Sequence, residues 1–275
     1  MKDEQNNIIS ALGVAMTFDV SLEIERRLNF LKDYVRSSGS KALVLGISGG
    51  VDSLTAGLMS QRAIRSMRES GYDAQFFAVR LPYGTQADEQ DAQKCLSVIN
   101  PDRIVTIDIK AATDAMMEAV NVDAKDLLSG PRHHFHLGNI KARQRMIAQY
   151  ALAGSSKGLV IGTDHAAEAL MGFYTKFGDG AADVLPLSGL NKRRVRSVAQ
   201  KLGAPDDLVF KTPTADLESD APLKPDEDVY GVTYDEIDDF LEGKTVSPSA
   251  HHKITAAYRA SAHKRALPVV PIEIA

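Results

Sequence analysis

The sequence predicts an α/β protein built on a doubly wound, mostly parallel sheet. Three observations point there. Short apolar runs occur at 43–47 (LVLGI), 75–81 (QFFAVRL), 103–109 (RIVTIDI) and 158–163 (GLVIGT). Stretches of helical period separate them, and parallel neighbours need such crossovers. The first, second and fourth runs lead straight into glycine or polar residues, where open α/β sheets bind ligands.

Bulk properties narrow the function. A length of 275 residues suits one large domain with a full core. Apolar residues make up 44% and charged residues 25%, the balance of an ordinary globular protein. A net charge of −4 argues against general nucleic-acid binding. The single cysteine, Cys95, excludes an internal disulfide, a cysteine zinc cluster and a CxxC redox pair, and suits a cytoplasmic setting. The apolar stretch 8–18 is too short to span a membrane, and MKDEQNN lacks the basic start of a signal peptide.

In chain order, residues 21–37 form an amphipathic helix with Ile24, Leu28, Leu31 and Val35 on one face, Ser21 as N-cap and Gly39 beyond the end. The strand at 43–47 then enters Gly46-Ile47-Ser48-Gly49-Gly50-Val51-Asp52-Ser53, followed by a helix at 54–70. Gly49 and Gly50 let backbone N–H groups crowd toward one point. The helix start aims its orphan N–H groups and positive dipole end at that point, and Ser48 and Ser53 add hydroxyls. This is an anion cradle of phosphate size. Asp52 beside phosphates needs an intervening cation, which suggests Mg²⁺. The kinase-type G-x-x-x-x-G-K-[ST] loop is absent from the sequence.

After the second strand, Arg80 and Gln86 fall where a nucleotide would be read; Arg80 is equally placed for a surface ion pair. Helices follow at 88–99 and 111–120. His133, His134 and His136 lack carboxylate or cysteine partners at ligand spacing, which favours a polar loop over a metal site. Asn139 caps a helix to about residue 153, with Lys141, Arg143 and Arg145 on a solvated basic side. Beyond the fourth strand, Glu168 either shares Asp52's metal or pairs with a helix dipole. Residues 172–187 are glycine-rich and irregular, and Asn191 opens a basic helix. A cation in its first turn, Lys192, is out of place unless an anion answers it. Residues 204–230 are proline-rich and acidic, as a mobile lid would be. Thr233 and Glu236 form a capping box, and 248–266 is a last helix.

SGGVDS resembles the S-G-G-x-D-S signature of the PP-loop ATP pyrophosphatases, which cut ATP between its α and β phosphates. LGISGGVDS, NIKARQRM, IGTDHAAEALMGFYTKFGDGAADVLPL, PTADLESD, YDEIDDFLEG and the terminal HKR are together similar to the ammonia-dependent NAD⁺ synthetases over nearly the whole length. The resemblance implies a Rossmann-like PP-loop fold of the adenine nucleotide alpha hydrolase type. It implies a cytoplasmic homodimer that converts deamido-NAD⁺ to NAD⁺ with ATP, Mg²⁺ and ammonia, without a glutaminase domain. It carries ATP contacts onto 46–53, Arg80, Thr163, Lys192 and Thr214. Mg²⁺ falls to Asp52 and Glu168, and deamido-NAD⁺ to Arg143, Lys176, Asp183, His263 and Lys264. Val51 departs from the glutamine of many relatives. The competing readings are another PP-loop enzyme, an amidotransferase or tRNA-thiolating one, and a non-catalytic nucleotide-binding module. The first would call for a glutaminase domain, RNA-binding segments or catalytic cysteines; the second predicts ATP binding without pyrophosphate release.

Overall fold

The computed structural model describes residues 2–85, 88–128, 130, 132–215, 224–266 and 268–271. Its elements run α1 (Lys2–Ala11), α2 (Val20–Ser37), β1 (Ala42–Gly46), α3 (Val51–Glu69), β2 (Gln75–Arg80), α4 (Glu89–Ile99) and β3 (Arg103–Thr106). Then come α5 (Lys110–Leu128), α6 (His133–Ser155), β4 (Gly158–Val160), α7 (Ala166–Met171), α8 (Lys192–Lys201) and α9 (Asp206–Val209). A short β5 (Thr214–Ala215) and β6 (Lys224–Pro225) lead to α10 (Asp226–Tyr230), α11 (Tyr234–Leu241), α12 (Pro248–Ala260) and α13 (Ala262–Arg265).

Four strands form a parallel sheet in the order β3-β2-β1-β4. Alternation along the central strands covers both faces. Leu43, Leu45, Phe76 and Ala78 join a core with α2, α3, α4 and α8. Ala42, Val44, Phe77 and Val79 face the other way, with Ala153 of α6. A third cluster packs α1, α7, α11 and α12 together. Among the described residues, no helix is long and apolar enough to cross a membrane.

Several expected boundaries move for local reasons. Asp19, rather than Ser21, caps α2: its Oδ1 accepts from Ser21 N at 2.8 Å and Leu22 N at 3.0 Å. The helix after the first strand begins at Val51, so the glycine turn is tighter than expected and Asp52 sits in the first helical turn. His133, His134 and His136 lie inside α6, not in a loop before it. Asn139 therefore sits within the helix; its Oδ1 accepts from Thr175 Oγ1 at 2.9 Å. The basic side of α6 is not uniformly solvated either. Lys141 is buried with its Nζ 4.2 Å from the Tyr83 ring, and Arg145 Nε donates to Leu81 O at 3.0 Å. Cys95 is a buried core thiol whose pKa burial pushes up to about 12. Within the proline-rich stretch, Leu208 and Val209 are core residues. Residues 216–223 of that stretch, with Gln86, lie outside the described residues.

The two glycines of the turn carry different constraints. Gly49 has φ +95°, and a Cβ there would come within 2.9 Å of Ala92 N. Gly50 has φ −88° and ψ 160°, open to any residue, and its Cβ would meet only Ser48 Oγ at 3.6 Å. Backbone conformation thus demands glycine at Gly49 alone. Gly49→Ala should destabilise the protein by about 1–3 kcal/mol. Gly50→Ala, an N-cap exchange, should cost less than about 1 kcal/mol. Denaturant unfolding of both variants checks the order; a larger loss at Gly50 would contradict it.

Candidate active site

All four strands run parallel, and the order in which the chain adds them reverses between β1 and β4. A crevice must open beyond their carboxyl ends, and a cavity of about 290 Å³ lies there. The β1–α3 turn forms one wall, Thr163 and Glu168 a second, and Lys192 and Asp226 a third.

The turn is held from several sides. Gly46 N donates to Gln149 Oε1 of α6 at 2.8 Å, and Ile47 N donates to Val79 O at 2.9 Å. Ser48 and Ser53 hydroxyls lie 3.2 Å apart, and Ser53 Oγ donates to Gly50 O at 3.1 Å. Arg80 is 2% exposed. Its guanidinium donates to Ile47 O and, at 2.7 Å, to Glu89 Oε2. Of the two sequence readings of Arg80, the ion pair forms, with Glu89, but from a buried guanidinium rather than at the surface. The side chain braces the turn and lines the cavity.

At the mouth of α3 the charges form a knot. Lys192, 1% exposed, places Nζ 2.7 Å from Asp52 Oδ2. His165 Nε2 lies 3.5 Å from Asp52 Oδ1 and 3.7 Å from Glu168 Oε2. The α8 start does not rely on Lys192 for charge balance. Asp238 of α11 accepts from Lys192 N at 3.0 Å and from Arg193 N at 2.7 Å, while Asn191 caps Arg194 N at 2.9 Å. The anion that answers the Lys192 side chain is Asp52.

The protonation states follow from this packing. Burial is the largest influence on Asp52 and raises its pKa, but the charge and hydrogen bond of Lys192, with His165 and Arg196, together outweigh it, and the net shift is down. Glu168 moves well above its ordinary value through burial and the nearby Asp52 charge. Burial lowers Lys192, yet Asp52 and Glu168 more than restore it, so the ammonium persists. Burial holds His165 down to about 3, a neutral imidazole at physiological pH.

Asp52, His165 and Glu168 offer atoms all within 4.8 Å of one another. Asp52 Oδ1 is buried with no hydrogen-bond partner among the described residues. An orphan carboxylate oxygen beside a second carboxylate suits a hard cation such as Mg²⁺.

The second set of expected residues lies elsewhere. Arg143, exposed on α6, donates to Lys176 O at 3.2 Å; Lys176 Nζ donates to His263 O at 2.6 Å. Lys264 Nζ donates to Gly172 O and Tyr174 O, both at 2.7 Å. These four join α6, the irregular 172–187 stretch and α13. Asp183 stands apart from them, with its Oδ2 accepting from Val160 N at 2.7 Å. None of the five lines the cavity. Thr214 is placed in β5, beside Pro225 of β6.

Sequence reasoning missed His165, Gln149, Asp226 and Asp238. His165 had a signal, since it lies in the polar segment that joins β4 to α7. Gln149 and Asp238 had none, because their partners lie 103 and 46 residues away.

The NAD synthase family model matches residues 23–268. A Streptomyces coelicolor protein named NH(3)-dependent NAD(+) synthetase is 59% identical over 269 residues, covering 97% of each chain. A Burkholderia ambifaria protein of the same name is 58% identical over 96% of this chain and 94% of its own. Among solved structures, the NAD⁺ synthetase from Burkholderia pseudomallei superposes with TM-score 0.83 at 54% identity, covering 96% of each chain. The NMN synthetase from Francisella tularensis does so with TM-score 0.79 at 35% identity, over 93% of this chain and 99% of that one. A parallel-sheet crevice with this glycine turn is what that likeness brings along, and the chain belongs to the NAD synthase family.

Proposed function

We propose that this protein amidates deamido-NAD⁺ with ammonia at the expense of ATP, through an acyl-adenylate. The observation that carries the reading is the convergence of the glycine turn, Asp52, Glu168 and Lys192 on one crevice. The 58–59% identical relatives named for this activity support it.

A carboxylate is a poor acyl donor because oxide would have to leave. Attack of the nicotinate carboxylate oxygen on the α-phosphorus forms a P–O bond and breaks the bond to pyrophosphate. Ammonia nitrogen then bonds to the acyl carbon, the bond to AMP breaks, and the nitrogen sheds a proton. The turn's N–H groups and the Ser48 and Ser53 hydroxyls hold the phosphates. Lys192 supplies a buried positive charge where negative charge gathers. Asp52 and Glu168 hold Mg²⁺, which when bound neutralises phosphate charge. Arg80 braces the turn, while Thr163 and Thr214 contact ATP. Arg143, Lys176, Asp183, His263 and Lys264 bind deamido-NAD⁺. Of the stretch expected as a lid, residues 211–213, which line the crevice, are placed to keep water from the acyl-adenylate. The protein works as a homodimer in the cytoplasm.

The products test this directly. AMP and pyrophosphate should form in step with NAD⁺, and chromatography of the reaction mixture reads them; stoichiometric ADP would end the assignment. The neighbour named NMN synthetase makes the deamidated mononucleotide the acceptor to run in parallel.

Asp52→Asn should lower turnover more than about hundredfold, the loss of several kcal/mol of transition-state stabilisation. Steady-state rates at matched Mg²⁺, on protein whose unfolding midpoint has been measured, check it. Wild-type turnover would remove Asp52 from the mechanism.

Support for the dimer comes from large apolar side chains left exposed on α5 and α6: Met116, Val122, Leu127, Phe135 and Ile147. Leu137 is buried within the subunit and is not available for the contact. A two-fold contact repeats one patch on both subunits, so a charge there meets its copy or apolar surface. Ile147→Asp should weaken dimerisation and deamido-NAD⁺ binding together while sparing ATP binding. Light scattering with titration calorimetry reads both; a dimer of normal affinity would move the interface elsewhere.

A further inference from the structure

We propose that Lys211 is a further catalytic residue, which contacts the leaving pyrophosphate of ATP, and that Asp91 holds its ammonium beside the glycine turn until the nucleotide arrives. The inference rests on the functional reading above and gives a role to a cation outside the expected nucleotide, substrate and metal sets.

Among the described residues, the cations that line the crevice are Arg80, Arg145, Lys192 and Lys211. The first three are committed to the fold or to a buried partner. Arg80 braces the turn through Ile47 O and Glu89, Arg145 Nε donates to Leu81 O, and Lys192 is buried on Asp52. Lys211 is held more loosely. Its Nζ lies 2.7 Å from Asp91 Oδ2, with the two side chains 25% and 31% exposed. A partly exposed pair of this kind adds little net stability, so a phosphate oxygen can take the place of the Asp91 carboxylate at small cost.

The fold places this pair against the phosphate cradle. Asp91 lies in the first turn of α4, and a Cβ on Gly49 would come within 3.3 Å of the Asp91 Cβ. Lys192 is anchored at the other end of the turn, on Asp52. The two ammonium groups therefore belong to the two ends of one glycine turn. Lys211 is also well rooted, since Val209, just before it in the chain, is a core residue with no exposed surface.

The chemistry calls for a cation at the Gly49 end. As the nicotinate oxygen bonds to the α-phosphorus, the bond from that phosphorus to the bridging oxygen breaks. Its electron pair stays on the oxygen of the departing pyrophosphate. Lys192 serves the Asp52 end, and the turn itself carries no lysine. An ammonium held loosely before ATP binds, and drawn in by the new phosphate charge, acts more strongly on the transition state than on the ground state. No proton moves, and Lys211 stays an ammonium throughout.

Three variants separate this role from a structural one. Lys211→Met keeps the stem without the charge, Lys211→Arg keeps a charge, and Asp91→Asn frees the ammonium. Titration calorimetry of the whole protein with inorganic pyrophosphate, and separately with AMP, both with Mg²⁺, reads the two halves of cleaved ATP without turnover. Lys211→Met should weaken pyrophosphate binding by about tenfold to hundredfold and lower kcat by a similar factor, with AMP binding within about threefold of wild type. Lys211→Arg should recover most of the loss. Asp91→Asn should bind pyrophosphate at least as tightly as wild type, because the ammonium loses its competitor. Wild-type pyrophosphate affinity in Lys211→Met would overturn the proposal. Equal losses of pyrophosphate and AMP would overturn it too, as would a loss in Asp91→Asn as large as in Lys211→Met, because the pair would then hold the fold rather than the phosphate. Neither titration involves the amide acceptor, so the outcome is independent of whether deamido-NAD⁺ is the substrate.

Discussion

Much of this site depends on one buried contact, the Lys192 ammonium against the Asp52 carboxylate. Lys192 has 1% of its surface exposed, so its charge is tolerable only beside an anion. The pair spans 140 residues of sequence and ties the first turn of α3 to the first turn of α8. Asp238 extends the tie to α11 by accepting from the N–H groups of Lys192 and Arg193. Three helix starts or flanks are thus locked by polar atoms rather than apolar area. Such contacts add little net stability but cost about 3–5 kcal/mol when one partner is removed. Their effect is to define where each charge sits, which an adenylating site needs more than it needs extra stability.

The sheet makes that arrangement possible. Both faces of β1 and β2 are covered, so their carboxyl ends are fixed from two sides. The crevice between β1 and β4 inherits that rigidity. Within it, Gly49 takes the conformation no other residue takes easily. Gly50 leaves empty the volume a Cβ would fill at the helix mouth. The first is a folding constraint and the second only leaves room at the helix mouth, although the two residues look alike in sequence.

The legible part of the fold was the part written in local pattern. Strand runs, most helices between them and the capping box at Thr233 depend on near neighbours, and their positions hold within a few residues, although α5 runs on to Leu128 and α6 starts already at His133. The glycine turn was legible because its chemistry is contiguous. The errors came where a contact from afar overrides a local habit. Asn139 has the residue type of a cap but sits inside α6, bonded to Thr175. Arg145 and Lys141 belong to a pattern that reads as a solvated face, yet Leu81 O and the Tyr83 ring occupy them. Lys192 looked misplaced at a helix start, because the carboxylates that balance it, Asp52 and Asp238, come from remote segments.

The two groups of basic side chains differ in how their charge is held, and that difference fits two different tasks. Lys192 is matched by a carboxylate at 2.7 Å, so its field is largely spent inside the crevice. Arg143 and Lys176 are held through backbone carbonyl oxygens, and Lys176 also lies 5.2 Å from the Phe177 ring. A carbonyl dipole orients a cation without neutralising it, so these groups keep a net positive field toward solvent. Lys264 is intermediate: carbonyls hold its ammonium, burial lowers its pKa, and the Asp179 and Asp164 charges raise it. A surface that must attract a dianionic pyrophosphate needs unspent positive charge. A crevice that gathers a triphosphate with its cation needs charges of both signs held in register. The first arrangement is found along α6 and α13 and the second at the mouth of α3, so the sites proposed for the two nucleotide substrates lie on separate ground.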